Sequence, residues 1–342
     1  MTTFPDIRVD DPLTEETLTG SPKFVEGRGK AGGTAMTTFP DIRVGDPLTH
    51  ETLTVFPLFV EDRVQAERIE YLLSGDALES GTLTVEELGE SGSVPELVVT
   101  NKGDSRVLFL EGEELRGAKQ NRVLNTSVLV PAHSSLKIPV SCVEQGRWAY
   151  RSRRFRSEGT HSSSKLRRIL KESVTQALAS GGGHRSDQGR VWNEVSRLMR
   201  STGSSSDTMA MADAYASSEP RMGDFRVNIP YVEGACGVAF AVAGKIVSLD
   251  LFDKIETCRK VWDRLMTGMV VEALETPAAE TSSTPSSQDV SALINRWREA
   301  PPKPVPAVGE GEELRYESLA PTHASALVFQ DAMIHASAIT SG

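Results

Sequence analysis

Short apolar runs alternate with turn residues through the first half of the chain. Residues 96–100 and 107–110 are two such runs on either side of an Asn/Gly/Asp cluster, which predicts a β-hairpin. Apolar residues at 123–130 and 136–140, separated by a Pro/His/Ser turn, predict further strands. Strands this short and evenly spaced are typical of an open antiparallel sheet or a β-sandwich.

After residue 151 the apolar positions follow a helical period. One apolar stripe begins at Leu166, and Gly181–Gly183 ends the helix that it predicts. The same spacing predicts helices over Gln188–Met199, Lys254–Leu274 and Val290–Trp297. This half of the chain is therefore predicted to carry most of the helices.

Two apolar hairpins are predicted in the same half. The first joins residues 237–242 to 245–250, and the second joins residues 326–329 to 333–336. Their similar composition, small and apolar on both sides of a tight turn, predicts that they are strands of one sheet. The fold class is therefore α+β, with an antiparallel sheet or sandwich-like N-terminal half followed by a helical region and further β-hairpins.

Composition narrows the class of protein. Of the 342 residues, 39% are apolar and 25% charged, which is typical of a globular chain. The net charge of −10 disfavours non-specific binding to nucleic acid or to anionic membranes. No apolar window reaches membrane-spanning length, and we expect no secretion signal because the first residues are acidic and lack an apolar run. Cys142, Cys236 and Cys258 form no CxxC pair, so we expect reduced thiols and a cytoplasmic location.

The start of the chain is duplicated, because residues 1–31 recur as residues 36–66. The second copy carries VFPLFV, which predicts an opening strand, where the first copy has GSPKFV followed by several glycines. We therefore expect the folded protein to begin near Met36 and residues 1–35 to be an unstructured remnant of the duplication. The alternative is a regulatory segment that displaces the second copy from its sheet.

The remaining chain is predicted to form one domain over residues 55–340. Its β-rich half covers residues 55–150 and its α+β half residues 151–340. Stretches rich in Ser and Pro predict three linkers, at residues 201–208, 276–288 and 300–306.

The most unusual polar stretch is LEGEELRGAKQNR at residues 110–122, which lies between two apolar strands. If it were a single strand, each face would carry both signs of charge and an amide, an arrangement suited to a polar ligand. A glycine within a strand indicates close approach to the backbone. A charged edge strand and a structural salt-bridge network are the alternatives. The candidate ligand-binding residues here are Lys119, Gln120, Asn121 and Arg122.

Candidate catalytic groups lie in this stretch and beyond it. Glu113 and Glu144 have the chemistry of a general acid or base. Cys142, which would share a strand face with Glu144, is a nucleophile only if a base or a positive field lowers its pKa. His335 on the last strand is a further candidate. For the cysteine and the histidine, a buried structural role is the favoured alternative.

Recognised metal and cofactor motifs are absent from the sequence. The glutamates would suit magnesium or calcium, but there is no DxDxDG loop, HExxH or histidine pair, so no metal is predicted. There is also no GxGxxG, GxxxxGK[ST] or GxSxG motif. No cofactor is assigned on this basis.

A basic segment follows, from Arg147 to Lys171, with nine Lys or Arg residues against one acidic residue. Its cations are interleaved with Trp148, Tyr150 and Phe155, a combination that can bind phosphate and stack bases. The favoured alternative is a solvated loop leading into a helix with a charged outer face. Arg147 joins the candidate ligand-binding residues.

Three stretches carry a family resemblance: GEELRGAKQNR at Gly112–Arg122, IPVSCVEQGRW at Ile138–Trp148 and GKIVSLDLFD at Gly244–Asp253. Over about residues 55–340 the chain resembles a prokaryotic domain family associated with ADP-ribosylglycohydrolases and with rhodanese–phosphatase superfamily proteins. The resemblance implies a role near ADP-ribose or NAD-linked metabolism. It supplies neither a reaction nor catalytic residues.

These observations leave three hypotheses, in order of preference. The first is a module that binds a small polar or nucleotide-like ligand, such as one related to ADP-ribose. The second is a hydrolase acting on an ADP-ribosyl or phosphate ester, with Glu113 or Glu144 as acid or base. The third is a protein-interaction scaffold. Whether the protein is an enzyme stays open at this point, and neither membrane nor nucleic acid is an expected partner.

Overall fold

The computed structural model describes residues 39–61, 69–89, 95–277 and 283–340. Its described part contains eighteen strands and six α-helices, which confirms the α+β class. The first copy of the duplicated segment lies outside the described residues.

The elements follow one another along the chain with strands at both ends. The strands are β1 Ile42–Val44, β2 Leu48–His50, β3 Leu53–Val60, β4 Tyr71–Leu73, β5 Leu83–Glu87, β6 Glu96–Asn101, β7 Arg106–Phe109, β8 Glu113–Gly117, β9 Arg122–Leu124, β10 Val128–Val130, β11 Ser134–Cys142, β12 Phe155–His161, β13 Gly237–Val242, β14 Lys245–Phe252, β15 Lys303–Pro306, β16 Glu312–Tyr316, β17 His323–Phe329 and β18 Ala332–Ile339. The helices are α1 Ser74–Glu79, α2 Ser164–Ala179, α3 Gln188–Ser201, α4 Met211–Asn228, α5 Ile255–Glu275 and α6 Ser287–Glu299.

The largest sheet is antiparallel and draws strands from both ends of the chain. Its order is β1-β3-β13-β14-β18-β17-β16-β15, and β2 also pairs with β3. The two predicted apolar hairpins join through β14 and β18, with Ser248 opposite Ile339. The prediction that they belong to one sheet is confirmed.

Strand β3, from the second copy of the duplication, fits between β1 and β13 because both of its faces are apolar. Phe56 and Leu58 pack with the hydrophobic residues of α6, whereas Val55 packs on the opposite side with the residues of α5. All three side chains are fully buried. The side chains of β3 therefore contribute to the hydrophobic cores on both faces of the large sheet.

Two smaller sheets pack against each other. Their orders are β10-β7-β4, and β12-β8-β9-β11-β6-β5. Val107 and Phe109 of β7 share a core with Leu97 and Leu124 of the six-stranded sheet, whereas Leu108 points to the core shared with the helices. The three-stranded sheet is thus an inner layer with apolar groups on both faces.

The hairpin predicted between residues 96–100 and 107–110 is wrong. Strand β6 pairs with β5 and β11, and β7 pairs with β4 and β10. The Asn101 amide donates to the carbonyls of Ser105 and Pro131, both at 2.9 Å, and its oxygen accepts from the Gly103 N–H. These bonds fix the turn at which the chain passes from one sheet to the other.

Residues 110–122 do not form one continuous strand, because a turn separates β8 from β9. Strand β8 ends at Gly117 and β9 begins at Arg122. Gly117 has φ +139° and Ala118 has φ +39°, which reverse the chain before Lys119. The apolar run at 123–130 is likewise broken, with β9 and β10 separated by three polar residues.

The helices α2, α3, α5 and α6 confirm the helical stripes, and α4 was not predicted. Within the stretch predicted as a third linker, Lys303–Pro306 form β15 at the edge of the large sheet. An edge position suits prolines, which cannot donate to a strand on both sides. In the described part of the chain, no helix has both the length and the apolar character needed to cross a membrane.

Candidate functional site

A long loop between β11 and β12, residues 143–154, lies against the turn between β8 and β9. The Arg147 Nη1 donates to the Ala118 carbonyl at 2.6 Å, and the Arg151 N–H donates to the same oxygen at 3.0 Å. The Ala118 N–H in turn donates to the Ser152 hydroxyl at 3.2 Å. We call residues 143–154 the clasp loop, because these bonds hold it on both sides of Ala118.

Two glycines allow the clasp loop to pack closely against its neighbours, one in the β8–β9 turn and one in the loop itself. A Cβ on Gly117 would lie 2.5 Å from the Arg154 carbonyl oxygen, and a Cβ on Gly146 would lie 2.9 Å from the Thr208 Cα. A glycine within this segment predicted that another group comes close to the backbone there. The group that approaches Gly117 is the protein's own clasp loop.

The Glu144 carboxylate is held by four hydrogen bonds. It accepts from the Asn121 N–H at 3.0 Å, from the Thr208 hydroxyl at 2.8 Å, and from Arg147 Nε and Nη2 at 2.8 and 2.6 Å. Burial opposes ionisation, but the bonds from Arg147, Thr208 and the Asn121 N–H outweigh it and lower the Glu144 pKa. Glu144 is therefore an ionised, fully bonded carboxylate.

A cleft of about 340 Å³ opens between the clasp loop, strands β8 and β12, and the start of α4. Its basic lining residues are Arg116, Arg151 and Arg156. Its other polar lining residues are Asn121, Glu144, Ser152, Glu158, Thr208 and Asp213. Alanines at the start of α4 complete the wall, and their small side chains leave the space open.

The charges that line this cleft are not fully paired. Arg116 pairs with Glu114 at 3.1 Å and with Glu158 at 2.8 Å, while Glu144 is paired with Arg147 as described above. No residue in the described part of the chain forms an ion pair or a side-chain hydrogen bond with Arg151 or Arg156. Asp213 accepts a hydrogen bond from a serine and has no basic partner there. Two unpaired guanidinium groups thus stand against one unpaired carboxylate.

Two exposed aromatic rings project from the clasp loop next to this cleft. Trp148 is 50% exposed and Tyr150 is 53% exposed. The Lys119 Nζ lies 5.3 Å from the Trp148 ring centroid and 5.1 Å from that of Tyr150. The ammonium group is therefore in cation–π contact with both rings.

Some of the predicted site residues come together here. Asn121, Glu144 and Arg147 form one hydrogen-bonded cluster, and the Asn121 oxygen accepts from Arg147 Nη2 at 3.3 Å. Lys119 and Gln120 lie in the adjoining turn, where the Gln120 Nε2 donates to a clasp-loop carbonyl at 3.4 Å. Of these five residues, Asn121 and Glu144 line the cleft.

Glu113 and Arg122 are placed elsewhere. Glu113 is fully buried, lies 3.1 Å from Arg264, and accepts hydrogen bonds from Ser74 and Ser157. Arg122 is also fully buried, with its Nη2 3.3 Å from a Glu87 oxygen. Neither residue lines the cleft: Glu113 lies on β8, which contributes to the cleft, and Arg122 lies on the neighbouring strand β9.

Cys142 is likewise enclosed and outside the cleft lining. Its side chain is fully buried, and its backbone N–H and carbonyl bond the Gln188 amide, both at 2.8 Å. Burial raises the pKa of the Cys142 thiol to about 11, against the opposing field of Arg122. A protonated, enclosed thiol is not an activated nucleophile.

His335 belongs to a different buried polar network. Its Nδ1 lies 2.8 Å from the Ser127 hydroxyl and its Nε2 lies 3.1 Å from Asp250. Asp250 also accepts two bonds from Arg167, at 2.8 and 2.6 Å. Burial lowers the His335 pKa, so the imidazole is neutral and bridges β18 to β14 and to the β9–β10 connection.

Several polar and charged residues that line the cleft were not selected as candidates from the sequence. Arg151 and Arg156 stood in the basic segment, for which a solvated surface was favoured, and Arg116 stood in the polar segment without a role. Thr208 and Asp213 were missed together with α4. The excess of cations in residues 147–171 was the sequence feature that could have indicated Arg151 and Arg156.

One group of possible metal ligands occurs in the described part of the chain, formed by His50, Glu51 and Asp224. It lies on β2, the turn after it and the end of α4. The Glu51 carboxylate there is already paired with Arg221 at 2.5 Å. The carboxylates that line the cleft, those of Glu144, Glu158 and Asp213, are not part of this group.

The fold and cleft define an α+β domain in which a clasped loop and a helix enclose a polar pocket. The chain belongs to the ARG and rhodanese–phosphatase-superfamily-associated protein domain family (ARPP-1), whose model matches residues 41–339. This match confirms the resemblance seen in the sequence. Comparisons with curated proteins and with solved structures gave no match.

Proposed function

We propose that the cleft binds a small polar ligand that carries phosphate. The observation that carries this proposal is the pair of unpaired guanidinium groups, Arg151 and Arg156, on the lining of a cleft of about 340 Å³. A guanidinium offers a planar fork of donors that matches phosphate oxygens. The volume lies within the range usual for small-molecule sites.

The polar groups around the arginines support a specific ligand rather than a stray ion. The Asn121 Oδ1 accepts hydrogen bonds from the Gly117 N–H and from Arg147. These two bonds fix the orientation of the amide and therefore the position of its Nδ2. The Nδ2 donates to no residue in the described ranges, and it is therefore available to a ligand acceptor. Thr208 and Ser152 add hydroxyl groups on the same lining.

The family context favours ligands related to ADP-ribose or NAD among the phosphorylated compounds. Such a ligand would use the arginines for its phosphates and the amide and hydroxyl groups for its sugar hydroxyls. A cytoplasmic location is part of the proposal, because these ligands occur there and the buried Cys142 and Cys258 thiols form no disulfide.

Hydrolysis of an ADP-ribosyl or phosphate ester has less support. Glu144 lines the cleft, but its low pKa and four hydrogen bonds make it a poor acid or base. The Glu113 carboxylate is fully buried on β8 and does not line the cleft. A scaffold role does not account for the unpaired arginines that line the cleft.

Calorimetric titration with ADP-ribose, NAD and inorganic phosphate tests the proposal. Replacing Arg151 and Arg156 together by alanine should weaken binding by at least tenfold, since a hydrogen bond to a charged group contributes about 1.5–3 kcal/mol. Arg153→Ala is the matched control, because Arg153 is exposed on the same loop and does not line the cleft. Equal affinity in the double variant, or no binding by any compound, would overturn the proposal.

A further inference from the structure

We infer that Trp148 and Tyr150 form a stacking surface for an aromatic base, so that the ligand of the cleft is a mononucleotide or a nucleotide-containing cofactor. This inference rests on the proposed phosphate-binding function and specifies its ligand class. We call the two rings the aromatic shelf. Bases stack on aromatic side chains without requiring a particular sequence, because every base has a π face.

Both rings of the shelf are exposed to solvent. Among the described residues, the large hydrophobic side chains left exposed are Leu72, Trp148, Tyr150 and Val227. The two aromatic members of this set lie two positions apart on one loop. By contrast, Trp262 and Trp297 are buried in the hydrophobic cores. Neighbouring exposed rings beside a cleft are typical of a binding surface.

Hydrogen bonds fix the backbone that carries the shelf before any ligand binds. Arg147 Nη1 donates to the Ala149 carbonyl at 2.9 Å, between the two ring-bearing residues, and also to Ala118. On the other side of Tyr150, the Arg151 N–H bonds the same Ala118 carbonyl at 3.0 Å. A shelf supported in this way loses little conformational entropy when a base binds.

The shelf is continuous in sequence with the groups proposed to bind phosphate. Tyr150 directly precedes Arg151 and Ser152, which both line the cleft. Lys119, in contact with both rings, is two residues from Gly117 on the same lining. A base on the shelf would therefore place its sugar phosphate toward the arginines, and Lys119 would add positive charge along the way.

A small nucleotide fits these observations better than a nucleic acid strand. The net charge of −10 repels an extended polyanion, and Arg151 and Arg156 line one cleft of about 340 Å³. A single base-stacking surface next to that cleft matches one nucleoside unit. The class of ligand is thus a nucleoside monophosphate or diphosphate, or a cofactor that contains one.

The test compares AMP with ribose 5-phosphate, which differ by the base. In the unchanged protein AMP should bind about 5- to 150-fold more tightly, the usual range for one stacked base. The Trp148→Ala/Tyr150→Ala double variant should lose this preference and keep its affinity for ribose 5-phosphate. The Trp148→Phe/Tyr150→Phe variant retains both rings and should retain the preference, while Val227→Ala is an exposed control outside the site.

The possible outcomes separate the two proposals. If both compounds bind equally well to the unchanged protein, the aromatic shelf is refuted and the phosphate cleft stands. If neither compound binds, the aromatic shelf is refuted, and the phosphate cleft is refuted with it if ADP-ribose, NAD and inorganic phosphate also fail to bind. A ten-residue thymidine oligonucleotide that binds more tightly than AMP would overturn the assignment to small nucleotides.

Discussion

Arg147 and Glu144 lie three residues apart in the clasp loop and form a two-pronged ion pair, with Nη2 and Nε at 2.6 and 2.8 Å from the two carboxylate oxygens. The same guanidinium bonds the backbone of Gly117, Ala118 and Ala149. One side chain therefore fixes the carboxylate, the clasp loop and the turn that together shape the cleft.

Replacing Arg147 by alanine should lower the free energy of unfolding by about 3 kcal/mol, because it leaves the buried Glu144 carboxylate without its cation. Urea unfolding measures this change. Arg153→Ala, on the same loop, should change the free energy by less than about 0.5 kcal/mol. A loss of similar size in both variants would show that the pair does not anchor the loop.

The two copies of the duplicated segment should not be equivalent. Exchanging Val55, Phe56 and Leu58 of β3 for the Gly, Ser and Lys of the first copy removes three fully buried side chains and introduces a charge. Even Phe56→Ser alone should cost about 3 kcal/mol or more. Thermal unfolding checks this, and we expect a chain lacking residues 1–35 to unfold at the same temperature as the full chain.

That deletion also distinguishes the two interpretations of the first copy. A remnant of duplication predicts no change in stability or in ligand binding. A regulatory segment that competes for the sheet predicts a rise in stability once it is removed. A clear rise would therefore favour competition over the remnant.

The stability of the protein should depend on Asp253 between about pH 4 and 7. Burial raises the pKa of Asp253 to about 7, although the Tyr71 hydroxyl donates a hydrogen bond to it. Unfolded aspartate has a pKa near 3.9, so in this window the unfolded chain releases a proton that the folded chain keeps. This group alone therefore makes the protein less stable as the pH rises from about 4 to 7.

Asp253→Asn isolates that contribution from those of other groups. The free energy of unfolding of the variant, relative to the unchanged protein, should rise across this window and stay level above it. Denaturant unfolding at several pH values from 4.5 to 8 measures the difference. A difference independent of pH would contradict a raised pKa at this carboxyl.

The three cysteines should be unreactive in the folded protein. All are buried, and burial raises the pKa of Cys142 to about 11 and that of Cys258 well above its usual value. A thiol-specific chromogenic reagent should react only after denaturation. Cys142→Ala should leave ligand binding unchanged, whereas rapid labelling of Cys142 in the native state would restore it as a candidate nucleophile.

The helices were predictable where the apolar stripe was strong. Helix α4 was not, although Met211, Tyr215, Ser218, Met222 and Phe225 are spaced four and three apart and are all buried. Pro220 and Gly223 within the helix, and several small residues, weakened the pattern. One wall of the cleft was therefore not predicted, because α4 and the residues before it form that wall.

The candidate site was predictable in part for a similar reason. Asn121, Glu144 and Arg147 stood out because polar groups after apolar strands are unusual, and the structure joins them by hydrogen bonds. Glu113 and Arg122 carried the same signal. Sequence alone could not separate them from the first group, because the direction of each side chain depends on the turn at Gly117.

By itself, the sequence determined the α+β class, four of the helices, both apolar hairpins and the family, because periodicity and local turns are properties of neighbouring residues. The tertiary structure decided the rest: it assigned β6 and β7 to different sheets, buried Glu113, Cys142 and His335 in separate places, and left Arg151 and Arg156 on the cleft. Such outcomes depend on which distant segment packs against each residue, and a local pattern of polar and apolar positions does not encode that choice.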